Sequence, residues 1–224
     1  MTSLVLLAVL LHAFGLRVES LSDVSIQLMV LGRGEFLGAL FAALLGAISV
    51  TGEIRHGTIR STFLFTPVRN RVIWSKVLVS GAIGVGFGLA AGTIGAVAGT
   101  AALKARGIDL LLDGSNDALL IAGASAAGGL WAAIGVGIGA IVRNQVPTLI
   151  GICAWLLFVE GVLAGDVGVL GDIGRLLPGS AASAISGQDP GTLLAPEVGL
   201  AVLALYAFAL ALAGAVTISR RDVG

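Results

Sequence analysis

Apolar residues run through this chain in long stretches with few interruptions. Charge-free apolar runs cover residues 36–52, 77–103, 118–142, 144–159 and 198–219, and the opening TSLVLLAVLLHAFGL adds a shorter one. A bilayer hydrocarbon core of about 30 Å needs roughly 20 apolar residues per helix. The run at 144–159 reaches that length only by extending past Glu160 towards Asp166. The pattern predicts an all-α polytopic membrane protein, a single transmembrane domain over 1–224 with six spans. Their expected limits are about 1–16, 36–52, 77–103, 118–142, 146–165 and 198–219. All five prolines (Pro67, Pro147, Pro178, Pro190 and Pro196) fall outside the apolar runs or at their edges. A proline inside a helix removes a backbone hydrogen bond, so this placement favours helices. The first span, about 24 Å long at 1.5 Å per residue, is short for a crossing. No positive n-region or A-x-A site accompanies it, so an uncleaved first span is expected rather than a signal peptide.

Composition points the same way. The chain is 57% hydrophobic and 12% charged, against about 25% charged in ordinary soluble domains, and its mean hydropathy is +1.03. The formal charge is zero and gives no argument for a nucleic-acid partner. Cys153 is the single cysteine, so no intramolecular disulfide can form. With only His12 and His56 besides, a His/Cys metal cluster is not expected.

The distribution of charge is more informative. Arg55, Arg60, Arg69, Arg71, Lys76, Arg143, Arg220 and Arg221 account for eight of the 13 Lys/Arg, all in 52–76, the 143–147 loop or the tail. Arg17, Arg33, Lys104, Arg106 and Arg175 fall in the alternate loops with most of the acids. Basic residues in short loops stay on the cytoplasmic side. That rule predicts a cytoplasmic 52–76 connector, residue 35 outside, and both termini cytoplasmic. Glycines recur every fourth residue at Gly84, Gly88 and Gly92, then at Gly95 and Gly99, and again at Gly135 and Gly139. That spacing lets helix backbones approach closely in lipid; packing within one bundle is the expected use, a dimer seam the alternative.

The connector GEIRHGTIRSTFLFTPVRNRVIWSK alternates basic residues with Ile54, Ile59, Phe63, Leu64 and Phe65. Ile59 and Phe63 lie one helical turn apart, which gives a short helix an apolar face beside a basic one. Thr66-Pro67 reads as an N-cap and first-turn proline that restart a helix leading into the next span. Such a helix could lie on anionic headgroups or dock a cytoplasmic protein.

This connector resembles that of the ABC-2-type permeases, the membrane subunits of ATP-binding-cassette transporters. The family pattern is close to G-E-[YI]-R-x-G-T-[IV], then a T/S-x-P-x-R segment and a lysine opening the next span. Gly52, Glu53, Arg55, Gly57, Thr58, Ile59, Pro67, Arg69 and Lys76 carry it here. The closing Arg220-Arg221-Asp222-Val223 and the AWLLFVEGVL segment around Glu160 resemble family members too. The resemblance implies the ABC-2-type exporter fold, with a cytoplasmic coupling helix and an outer re-entrant helical segment between Asp166 and Glu197. It implies coupling to an ATPase through Glu53, Arg55, His56, Gly57, Thr58, Ile59, Arg60, Phe63, Pro67 and Arg69. It also implies a separate cytoplasmic ATPase subunit, which would bind ATP and Mg, and a second permease subunit, in the inner membrane of a bacterium. Family members normally carry an amphipathic elbow helix before the first span. Its lack of a counterpart here implies either a start further upstream or docking mainly through 52–76.

Enzymatic chemistry is not expected. No G-x-x-x-x-G-K-[ST] loop occurs. Ser125 in GASA has no base after it, since no histidine follows and the spans hold no lysine. Glu160 is read as the one acid within a membrane run, either interfacial or lining a translocation path. A carboxylate in hydrocarbon costs about 2.5–3.5 kcal/mol, so it should face protein or a water-filled cavity. The reading is the permease subunit of an exporter for a hydrophobic or amphipathic compound. The rivals are a non-transporting anchor or assembly factor and a secondary transporter, which the scarcity of midplane carboxylates weighs against.

The orientation is testable by cysteine labelling in a Cys153→Ser background. An impermeant reagent applied from outside should modify Ser115→Cys and leave Asn70→Cys unreacted; the reverse pattern refutes it.

Overall fold

The computed structural model describes residues 1–15, 23–58, 69–111, 114–164, 171–188 and 192–220. Among these every regular element is helical. The helices are α1 (Thr2–Gly15), α2 (Val24–Arg55), α3 (Arg69–Ala105), α4 (Gly114–Val142), α5 (Gln145–Ala154), α6 (Glu160–Ala164), α7 (Pro178–Ile185) and α8 (Pro196–Arg220). A π-helical turn, Trp155–Val159, joins α5 to α6, and a 3₁₀ turn, Gly171–Leu176, precedes α7.

Five of these helical stretches are long and apolar enough to cross a membrane: α2, α3, α4, the continuous α5–π–α6 stretch and α8. Helix α1, at 14 residues, falls below that length. It packs against α2 and α3 through Val5, Val9 and Ala13. Arg106 after α3 donates to the Ala13 carbonyl and lies over the Phe14 ring.

The expected span at 36–52 needs correction: α2 has 32 residues and begins at Val24. At 1.5 Å per residue it is about 48 Å long, well beyond the hydrocarbon thickness. Ending the apolar run at the first charge cut the helix short, because Arg33 and Glu35 lie inside it and Glu35 is buried. Residue 35 is therefore a helix-interior position and not a loop boundary. Asp23 opens the helix as its N-cap, accepting from the Ser25 hydroxyl at 2.8 Å and from the Ser25 N–H at 2.9 Å. Those bonds hold its carboxyl below its ordinary pKa. Buried Gln27 fastens the same end, donating to the Asp109 carbonyl and accepting from the Leu111 N–H, both at 3.1 Å.

Helix α4 is the axis of the bundle, with 61% of its most apolar stretch buried against 22% for α5–α6. It contacts α2, α3 and α8, and α2 also contacts α3. Glycine makes these contacts possible. A Cβ on Gly135 would sit 2.0 Å from the Ala43 carbonyl oxygen, and one on Gly88 2.0 Å from that of Ala124. Gly84 and Gly92 also face α4, Gly95 and Gly99 face α2, and Gly139 faces Ala47. The four-residue glycine ladder therefore packs helices of one bundle, as the spacing suggested.

The predicted outcome is that Gly135→Val forces α2 from α4 and lowers stability by at least about 1–3 kcal/mol. Gly86→Val, at a position with no atom within 4 Å of the added Cβ, should leave the fold intact. Detergent-solubilised melting curves compare the two; equal midpoints contradict the packing argument.

Candidate functional site

Two polar regions stand at opposite ends of the bundle. At the connector end α2 stops in an ordered way. His56 is the C-cap, its N–H donating to the Gly52 carbonyl, while the Gly57 N–H donates to that of Ile54. Its exposed ring places Nδ1 2.8 Å from the Gly52 oxygen, so that nitrogen carries the proton. Gly57 follows with φ +72°, the left-handed turn that ends helices and that a side chain would strain. The Thr58 hydroxyl donates to the Glu53 carbonyl at 3.4 Å.

The end of α2 is bound to two other spans. Lys76 Nζ of α3 lies 2.6 Å from Glu53 Oε1 and donates to the Ser49 carbonyl at 2.6 Å. The Lys76 and Glu53 side chains are 16% and 30% exposed, so the pair is partly shielded from water. Removing one partner would leave a half-buried charge. Arg55 donates to Gln145 Oε1 of α5 at 3.2 Å. Below this layer Val50, Ile73, Val136, Ala140, Ala215 and Ile218 form one apolar cluster. Arg69 opens α3. Ile59, Arg60, Phe63 and Pro67 lie outside the described residues, as do the Thr66 cap and Arg221 to Val223.

At the opposite end, here the loop end, a cavity of about 720 Å³ lies between α2, α4, the π-turn with α6, and α7. Glu160 borders it and is buried. The π-turn accounts for its setting. Its i→i+5 spacing brings Trp155 beside Glu160, and the indole N–H donates to Glu160 Oε2 at 3.0 Å. Glu160 Oε1 accepts from the Gly179 N–H at 2.5 Å and the Ser180 N–H at 3.0 Å. Those are free N–H groups in the first turn of α7, whose N-cap, Leu177, supplies no side-chain bond. Glu160 thus caps a helix from across the cavity, where a carboxylate is also favoured by the helix dipole. Gly179 leaves room for it: a Cβ there would lie 2.7 Å from Glu160 Oε2.

Glu160 is the one acid that hydropathy alone puts within a membrane run, and the structure adds Glu35. Its Oε2 accepts from Gln188 Nε2 at 3.0 Å and from the Ser183 hydroxyl at 3.4 Å. A Cβ on Gly32 would strike the Gln188 side chain at 2.4 Å, so that glycine makes space for the amide. Arg33 and Arg175 also line the cavity, and Arg33 Nη2 lies 3.4 Å from His12 Nε2. Averaging hydropathy across the 33–35 charges would have carried the span through them. The pairing of Glu35 with Gln188, far along the chain, has no local signal.

Among the described residues no group of His, Cys, Asp and Glu has the geometry of a metal site. Ser125 Oγ donates to the Ile121 carbonyl of its own helix at 2.7 Å, a packing serine. Of the segment expected between Asp166 and Glu197, Gly171–Leu176 and Pro178–Ile185 are helical, and α7 packs on α4 and α8. Comparison with known protein families, curated proteins and solved structures finds no match.

Glu160→Leu should leave the Gly179 and Ser180 N–H groups without an acceptor and destabilise the protein by about 1–3 kcal/mol for each. Glu160→Gln keeps one acceptor oxygen and should assemble normally. Thermal melting of the two variants decides; an unchanged Glu160→Leu midpoint rules out the capping role.

Proposed function

We propose that this chain is the permease subunit of an ATP-binding-cassette exporter of the ABC-2 type, working with a separate ATPase and a second permease subunit. The chain is a multi-pass membrane protein by its five apolar helices. The observation that carries the proposal is the binding of the connector's two ends into one unit. The Glu53–Lys76 pair and the Arg55–Gln145 bond tie α2 to α3 and α5, at residues belonging to the connector pattern or beside it. A partner pushing on residues 54–66 would then turn several spans together, as a lever fixed at both ends. On this reading ATP binding closes the two ATPase subunits, the connector moves with them, and the loop end opens.

The cargo best suited to these apolar, glycine-rich spans is hydrophobic or amphipathic. A secondary transporter has one observation in its favour, the two buried carboxylates Glu35 and Glu160 at one cavity. Depth argues against it. From Glu53 to Glu35, α2 rises about 27 Å at 1.5 Å per residue. If Glu53 marks one edge of a ~30 Å core, Glu35 lies near the other edge and not at the midplane where coupling carboxylates act. A plain membrane anchor would need no such tie among three spans.

Copurification with the candidate ATPase tests the proposal. Phe63→Ala should release the ATPase or uncouple hydrolysis from transport while the spans stay folded, and Arg60→Glu should weaken docking several-fold. Equal recovery and equal ATPase stimulation from wild type and both variants reject the docking role. A lipid-surface helix would instead bind according to anionic lipid content, with no ATPase recovered.

A further inference from the structure

The loop-end cavity carries polar groups that packing does not require. Glu35 and Trp131 are each only 3% exposed and both line it. The Glu160 carboxylate is matched by three N–H donors, two of them at the opening of α7. Glu35 has one donor fewer, and both reach the same oxygen: Gln188 Nε2 at 3.0 Å and the Ser183 hydroxyl at 3.4 Å, each on Oε2. Nearby, the Trp131 indole N–H and Arg33 Nε are buried with no hydrogen-bond partner among the described residues. One part of the wall is short of a strong donor and another is short of an acceptor. A buried donor without an acceptor is unfavourable, so a ligand supplying both would gain at both places.

We propose that this cavity binds the zwitterionic headgroup of an aminophospholipid. Its primary ammonium donates to Glu35, and its phosphate accepts from Arg33 and the Trp131 indole. Charge, size and depth select this class. A simple anion meets Glu35 and Glu160, and a simple cation meets Arg33 and Arg175, all lining the same space; a zwitterion satisfies both signs. The volume of about 720 Å³ exceeds a headgroup and leaves room for the start of an acyl chain against Phe36 and Leu156. With the Glu53–Lys76 pair at one edge of a ~30 Å core, Glu35, about 27 Å along α2, lies at the opposite edge, within reach of the headgroups. The inference concerns equilibrium binding and does not depend on coupling to an ATPase.

Native mass spectrometry of the full chain released from nanodiscs tests it. The discs hold equal parts phosphatidylethanolamine, phosphatidylcholine and phosphatidylglycerol. Phosphatidylethanolamine should be retained at least about tenfold over the other two, the scale of one charge-assisted hydrogen bond. Choline carries a cation without N–H donors, and glycerol carries no cation. Glu35→Gln should abolish the preference, whereas Trp131→Phe should reduce retention of all three lipids alike. Equal retention of the three lipids by wild type overturns the proposal, and so does an undiminished preference in folded Glu35→Gln. If that variant does not fold, the wild-type comparison decides alone. Excess free glycerophosphoethanolamine separates the sources of the headgroup. Displacement assigns the site to a soluble zwitterion of the same chemistry, and retained lipid assigns it to the membrane. No ATPase enters the assay, so its failure leaves the coupling proposal standing, and the reverse holds.

Discussion

Close approach of helix backbones is the constraint on which this structure depends. Lipid tails are as apolar as leucine, so two apolar helices gain little from the hydrophobic effect when they meet in a bilayer. What remains is dispersion contact, which falls steeply with distance. The chain meets this requirement at the α2–α4, α3–α4 and α2–α3 crossings with Gly46, Gly135, Gly84, Gly88, Gly128, Gly34 and Gly95, where even a methyl group would collide with backbone. Large apolar side chains such as Leu78, Phe158, Leu205 and Phe208 point outward instead, the inverse of a soluble protein and the arrangement a hydrocarbon solvent favours.

A bundle held by glycine contacts leaves its polar work to a few well-matched groups. At the connector end a half-buried ion pair and one arginine–glutamine bond tie three spans where water is near. At the loop end a carboxylate caps a helix it does not belong to, and a second is held by an amide and a hydroxyl. Each solution meets the cost of a polar group beside lipid with a partner from another element. The polar groups therefore fix how the elements sit, while the glycines fix how close they come.

The π-turn at Trp155–Val159 links these two roles. Leu157, Phe158 and Val159 stay outward, while the widened turn delivers Trp155 and Glu160 together to the inner face. The α5–α6 span thus presents apolar side chains to lipid and an acid to the cavity within one turn. A regular helix spaces side chains by 100° and would not set residues five apart on one face.

The sequence by itself determined the solvent and the class of fold. Uncharged runs about twenty residues long can satisfy their backbone in a bilayer only as helices, and proline at their edges leaves those helices unbroken. It also determined the glycine seams, because a four-residue period places small residues on one face whatever the neighbour is. It carried the connector's pattern, including the charges of Glu53 and Lys76. Only the tertiary structure decided that α2 runs on through Arg33 and Glu35, since a charge inside a helix is tolerated according to partners 150 residues away. Only the tertiary structure, likewise, turned Glu160 from an acid near a span end into the cap of α7. Period and hydropathy are properties of neighbouring residues. The burial of a charge depends on distant partners meeting in space, and no local pattern records that meeting.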